Sequence, residues 1–143
     1  MPDPMSLDAA FPVTSMQLIE LFRSTRPRVV ALRDVARPLA QRRGTETVSA
    51  EIDADARLLL ETTRTIVARQ RGARALLTLA GPPDWATLLT KLEFALVALA
   101  AFQDKFSDYD ERYGAVVWRD EIWLDFHLHG VESDSDDNDL HES

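Results

Sequence analysis

Hydrophobic positions recur every three or four residues through most of this chain, and proline, glycine and capping residues punctuate the runs. Met16, Ile19 and Phe22 follow Ser15, a suitable N-cap, and predict a short first helix that stops near Thr25. Pro27 suits the first position of a second helix, in which Val29, Leu32, Ala36 and Leu39 repeat as far as Gly44. Pro38 predicts a kink or break near Arg37, because an internal proline removes a backbone donor and clashes with the preceding turn. A third helix is predicted from Thr47 to Arg71, with Val48, Ile52, Ala56, Leu59, Thr63 and Ile66 on one face.

Gly81, Pro82 and Pro83 form the strongest break in the chain. Beyond it, a core helix is predicted from Pro83 to about Asp108, striped by Trp85, Leu88, Leu92, Ala95, Leu99, Phe102 and Phe106. Leu89, Leu96 and Val97 widen its apolar face and predict burial against several helices or across a homodimer interface. After Gly114 the period changes. Ile122, Leu124, Phe126 and Leu128 alternate with Trp123, Asp125, His127 and His129, which predicts a strand, with a short amphipathic helix as the alternative. Ala115 to Trp118 would pair with that strand through Arg119, Asp120 and Glu121. From Val131 the chain is too acidic and polar to bury anything, and disorder is expected. The expected fold is therefore mainly all-α: one domain over 1–130, a bundle of four or five helices with a short C-terminal β-hairpin, followed by a disordered acidic tail over 131–143.

Composition adds a division of charge. Residues 1–75 hold 12 Arg and 9 Asp/Glu, a net of +3, whereas residues 76–143 hold 4 Lys/Arg and 15 Asp/Glu, a net of −11. Arg23, Arg26, Arg28, Arg33, Arg37, Arg42 and Arg43, offset only by Asp34, give one segment a charge of +6. The chain has no cysteine, which removes disulfides, thiolate catalysis and cysteine-held metals. The first residues have neither the basic flank nor the apolar core of a secretory signal, so a cytoplasmic location is expected. The longest uninterrupted apolar run, Phe94 to Phe102, falls well short of the roughly 20 residues that span a bilayer, and no membrane association is expected.

Four kinds of chemistry fit these residues. Asp125, His127 and His129 share one face of the predicted strand and would make a ligand set for zinc or iron, with Glu121 and Glu132 nearest in sequence; no other cofactor is expected. Asp104, Asp108 and Glu111 would share a helix face, where paired acids serve acid–base work if burial separates their pKa values. The scattered glycines form no phosphate-binding loop and no serine sits in a nucleophile elbow. Arg26, Arg28, Arg33, Arg37, Arg42 and Arg43 form a segment that would bind either a protein or the phosphates of a nucleic acid. The stretch Leu32 to Arg37, with Thr47 to Ser49, is similar to the helix-turn-helix of lactose-repressor-type regulators. Pro38 interrupts that helix and the connection is too long, so no base-contacting residue is assigned. Tyr113, Trp118 and Trp123 are the expected aromatic interface. Together these features predict a non-enzymatic binding or regulatory protein acting through protein contacts and charge complementarity. A nucleic-acid regulator and a metal-dependent enzyme are the alternatives.

Overall fold

The structure is a computed structural model, and it describes residues 12–126. In chain order its elements are α1 (Met16–Arg43), α2 (Ala50–Ile66), a single-turn α3 (Ala73–Leu76), α4 (Trp85–Phe106), β1 (Ser107–Asp110) and β2 (Ala115–Trp118). A helical stretch over 121–126, here α5, follows. The fold is thus mainly helical with a short antiparallel hairpin near its C-terminal end. The chain forms two compact units, Glu20–Gln103 and Met1–Ile19 with Asp104–Ser143.

The unit Glu20–Gln103 holds most of the apolar core. Phe22, Val29 and Ala36 of α1, Ala56, Leu60 and Ile66 of α2, and Leu88, Leu92, Ala95, Leu99 and Phe102 of α4 are all buried. The rings of Phe22 and Phe102 lie 5.7 Å apart at 30°. Along α2 the buried stripe follows the predicted one, except that Leu60 rather than Leu59 points fully inward. Helix α1 departs from expectation. It runs unbroken through both Pro27 and Pro38, because both prolines face solvent while buried Phe22, Val29 and Ala36 hold one continuous stripe against the core. Tertiary burial outweighs the roughly 3 kcal/mol preference of an interior proline for a break. The likeness to a helix-turn-helix fails elsewhere: Thr47 to Ser49 precede α2 and end on its N-cap instead of lying inside a second helix.

Caps fix the other ends. Ser15 Oγ accepts the Leu18 N–H at 3.2 Å, and Ser49 Oγ accepts that of Ile52 at 3.4 Å, so α2 begins after Ser49 instead of at Thr47. Residues 44–48 then pair with the entry to α4: Val48 N–H donates to Pro83 O at 2.9 Å, and Trp85 N–H to Glu46 O at 3.2 Å. Asp84 caps α4 by accepting the Thr87 N–H at 2.7 Å. Helix α4 has a mean hydropathy of 1.6 over its most apolar window, which is long and apolar enough to cross a membrane by length and composition alone. In this fold its stripe from Leu88 to Leu99 forms the centre of the core.

Two arginines of α2 staple the connection between α3 and α4. Arg57 donates to Leu79 O at 3.1 Å and to Gly81 O at 2.7 Å, and Arg64 donates to Thr78 Oγ1 at 3.2 Å. The carbonyls of a glycine- and proline-interrupted loop are thereby satisfied by side chains.

In the other unit, α4 ends at Phe106 rather than Asp108, and the next four residues form β1. Strand β1 pairs with β2, Asp108 opposite Val117 and Asp110 opposite Ala115. Ala115 to Trp118 therefore do not pair with the residues that follow, and of the two expectations for that stretch the short helix is the one found, over 121–126. Asp120 explains why: its carboxylate accepts the Trp123 N–H at 2.8 Å and its carbonyl that of Leu124 at 3.0 Å, so the residues expected to turn a hairpin start a helix. The true turn lies upstream. There the Asp110 carboxylate accepts the Arg112 N–H at 2.9 Å, and Gly114 takes a left-handed φ of 61° that lets the chain return. The expected tail over 131–143 lies outside the described residues.

Candidate functional site

The hairpin and α5 frame an open cleft of about 670 Å³ within the C-terminal unit. Strand alternation brings Asp108, Asp110 and Val117 to one face of the hairpin, and all three line the cleft together with Trp123 and Phe126 from α5. Around it the surface is unusually apolar and aromatic: Tyr109, Tyr113, Ile122 and Phe126 are 65%, 77%, 71% and 63% exposed. The turn supplies Glu111 and Arg112. Arg112 Nε stands 3.5 Å from an Asp110 carboxylate oxygen, and its guanidinium lies 5.8 Å from the centroid of the Tyr113 ring.

Arg119, which the sequence pattern did not single out, organises this unit. It is buried at 5% exposure. Its guanidinium donates to Pro12 O at 2.9 Å, to the Lys105 carbonyl and to the Asp108 carboxylate, while its backbone N–H donates to Phe106 O at 2.8 Å and its carbonyl accepts from Thr14 N–H at 2.8 Å. One residue thus joins the lead before α1, the end of α4 and strand β1. Only its position between a tryptophan and an acid in an otherwise acidic stretch could have marked it in the sequence.

Of the three expected interface aromatics, Trp123 lines the cleft, Tyr113 stands exposed on the turn, and Trp118 is half-buried at the end of β2. The arginine segment does not form one face. At 3.6 residues per turn Arg26, Arg33 and Arg37 fall with Arg23 within about 80° of arc, whereas Arg28 and Arg42 lie on the far side of α1. Arg33 pairs with Asp34, Arg37 with Glu93 at 3.8 Å, and Arg43 with Glu46 at 3.9 Å. Arg23, Arg26, Arg28 and Arg42 make no ion pair among the described residues.

Of the expected metal ligands, Asp125 sits on α5 instead of a strand, and His127 and His129 lie outside the described residues. Among the described residues no three His, Cys, Asp or Glu side chains are grouped to hold a metal ion. The acids Asp104, Asp108 and Glu111 are separated onto α4, β1 and the turn, so they do not form the single helix face expected of them.

The site is thus defined by a helical fold with an acidic, aromatic surface cleft. No protein-family profile, curated protein or solved structure matches the chain.

Proposed function

We propose that this chain is a non-enzymatic binding protein of the cytoplasm that regulates a protein partner by docking it on the acidic aromatic cleft of the C-terminal unit. The observation that carries this reading is the exposure of Tyr109, Tyr113 and Phe126 around an open cleft of about 670 Å³. Aromatic side chains are enriched at interface hot spots because they bury much apolar area with little loss of conformational freedom, and clustered exposure of this kind marks contact surfaces. The carboxylates beside them supply orientation and selectivity.

The test is site-specific photocrosslinking in cells. A photoreactive residue replacing Tyr113 is expected to trap a discrete protein adduct that the same group at Thr87, at the start of α4, does not. An adduct from neither position, or equally from both, overturns the reading.

A second reading has its own support in Arg23 and Arg26, which share one side of α1, are exposed, make no ion pair among the described residues and suit phosphate contact. If this surface binds nucleic acid, affinity falls steeply with salt, with a slope of log K on log salt of about −0.9 per phosphate contact on duplex DNA. Fluorescence anisotropy between 50 and 200 mM salt, on the order of the range over which such contacts are lost, checks it; a flat response removes it.

A further inference from the structure

We infer that the cleft receives an arginine side chain presented by a basic segment of the partner protein, an assignment that rests on the cleft being the docking surface. One wall, from the hairpin, bears the carboxylates of Asp108 and Asp110; the other, from α5, bears the rings of Trp123 and Phe126. Carboxylate on one side and aromatic face on the other is a combination that a guanidinium uses more fully than an ammonium does. Its planar fork forms paired hydrogen bonds to a carboxylate, and its weakly hydrated plane stacks on a ring.

The chain already makes these contacts with its own arginines. Arg112, 83% exposed, holds a position between Asp110 and the Tyr113 ring at the lip of the cleft. Arg119 approaches Asp108 from the buried side, yet the Asp108 side chain keeps 67% of its surface exposed and so presents an outward edge. Arg112 therefore acts as an internal stand-in for the ligand, and the second carboxylate remains open to a visitor. Charge acts in the same direction at longer range. The unit Met1–Ile19 with Asp104–Ser143 holds 3 Lys/Arg against 15 Asp/Glu, a net of −12, which attracts a basic segment and repels an acidic one.

The test is an NMR titration of the full ¹⁵N-labelled chain with a capped Gly-Leu-Arg-Leu-Arg-Gly peptide and with twins carrying lysine or glutamate in place of arginine. The arginine peptide is expected to shift the amides of residues 108–112 and the Trp123 indole N–H, and to bind about fivefold or more tighter than the lysine twin. The glutamate twin is expected to shift none of them. Replacing the internal competitor, Arg112→Gln, tightens the arginine peptide by about threefold, and Glu111→Gln weakens it by a similar factor. Phe126→Ala weakens it by about three- to tenfold, with the variant's own spectrum reporting the retained fold.

Equal affinity for the arginine and lysine twins, or looser binding after Arg112→Gln, overturns the assignment. Crosslinking at Tyr113 together with no shift by the arginine peptide ends the arginine assignment and leaves the docking surface standing. Failure of both ends both.

Discussion

Arg119 has more consequence for the C-terminal unit than any other side chain. Burying a guanidinium requires that its donors be matched, and here carbonyls of Pro12 and Lys105 and the carboxylate of Asp108 match them. Arg119→Met keeps much of the volume and removes every donor, leaving carbonyls in a desolvated position; we expect a loss of about 2–4 kcal/mol. Arg119→Lys should recover less than half of that, since an ammonium cannot span three acceptors in the plane of the fork. Urea titration of the two variants checks the ordering, and equal midpoints for wild type and Arg119→Met would refute it.

Asp84 acts at the same scale but is read by pH. Hydrogen bonds from the side chain and backbone N–H of Thr87 hold its carboxyl below the usual carboxylate range. A depressed folded-state pKa contributes stability above the ordinary carboxylate value of about 4, and that contribution disappears as pH falls through the lower folded value. In Asp84→Asn the contribution is absent at every pH. The stability difference between wild type and variant should therefore be constant near neutral pH and shrink below about pH 4, as thermal melts across that range would register. A difference that grows on acidification would contradict the assignment.

At the scale of elements, α1 is the informative case. Pro27 and Pro38 are local stop signals that the helix overrides, because its buried stripe continues past them. Such a helix carries a removable penalty at an exposed position. Pro38→Ala restores a backbone donor and relieves the clash with the preceding turn, and it should stabilise the protein by about 1 kcal/mol, the rest of the interior-proline cost being offset by relaxation already present and by the looser unfolded chain. A lowered melting temperature would show that the proline is needed where it stands.

The same contrast explains what was legible in the sequence. The stripes of α2 and α4 and the cap at Ser15 could be read because periodicity and capping act locally, within a turn or two. The hairpin was legible in kind and wrong in its pairing. Alternation over 122–128 predicts a strand, but Asp120 at an N-cap decides for helix over 121–126, and Gly114 is the return of a turn as well as the point where the pattern changes. The cleft is half legible: Tyr113 and Trp123 can be picked as surface aromatics, while a helical pattern that reads on to about Asp108 hides that Asp108 and Asp110 belong to a strand. Spacing along α2 indicates only the Arg57 bond to Asp53, four residues back; nothing local could indicate the other bonds of Arg57, Arg64 and Arg119, because those acceptors lie between 11 and 107 residues away.

At the scale of the whole molecule, the charge division follows the two structural units more closely than it follows the halves of the sequence. The unit Glu20–Gln103 carries 13 Lys/Arg and 9 Asp/Glu, a net of +4, against the −12 of the other. Their apolar content is unequal as well. Among the described residues outside Glu20–Gln103, the buried hydrophobic side chains are Ile19 and Phe106, joined by buried Thr14, Arg119 and Asp120. A unit with a small apolar core and strong self-repulsion has little to resist local opening, and a hydrogen-bonded arginine at its centre makes that opening sensitive to ionic strength. Native-state hydrogen exchange should therefore find the amides of Val117 and Leu124 opening at a lower free energy than those of Leu92 and Leu99. Raising salt from 20 to 200 mM, on the order of shortening the screening length from about 20 to 7 Å, should slow exchange in the hairpin while leaving α4 unchanged. Equal protection in both places, or faster hairpin exchange at higher salt, would mean that Arg119 and its acceptors hold the acidic unit more firmly than its charge loosens it. A basic ligand bound to this unit would supply the same counter-charge that salt supplies in the experiment, and should slow exchange at the same hairpin amides.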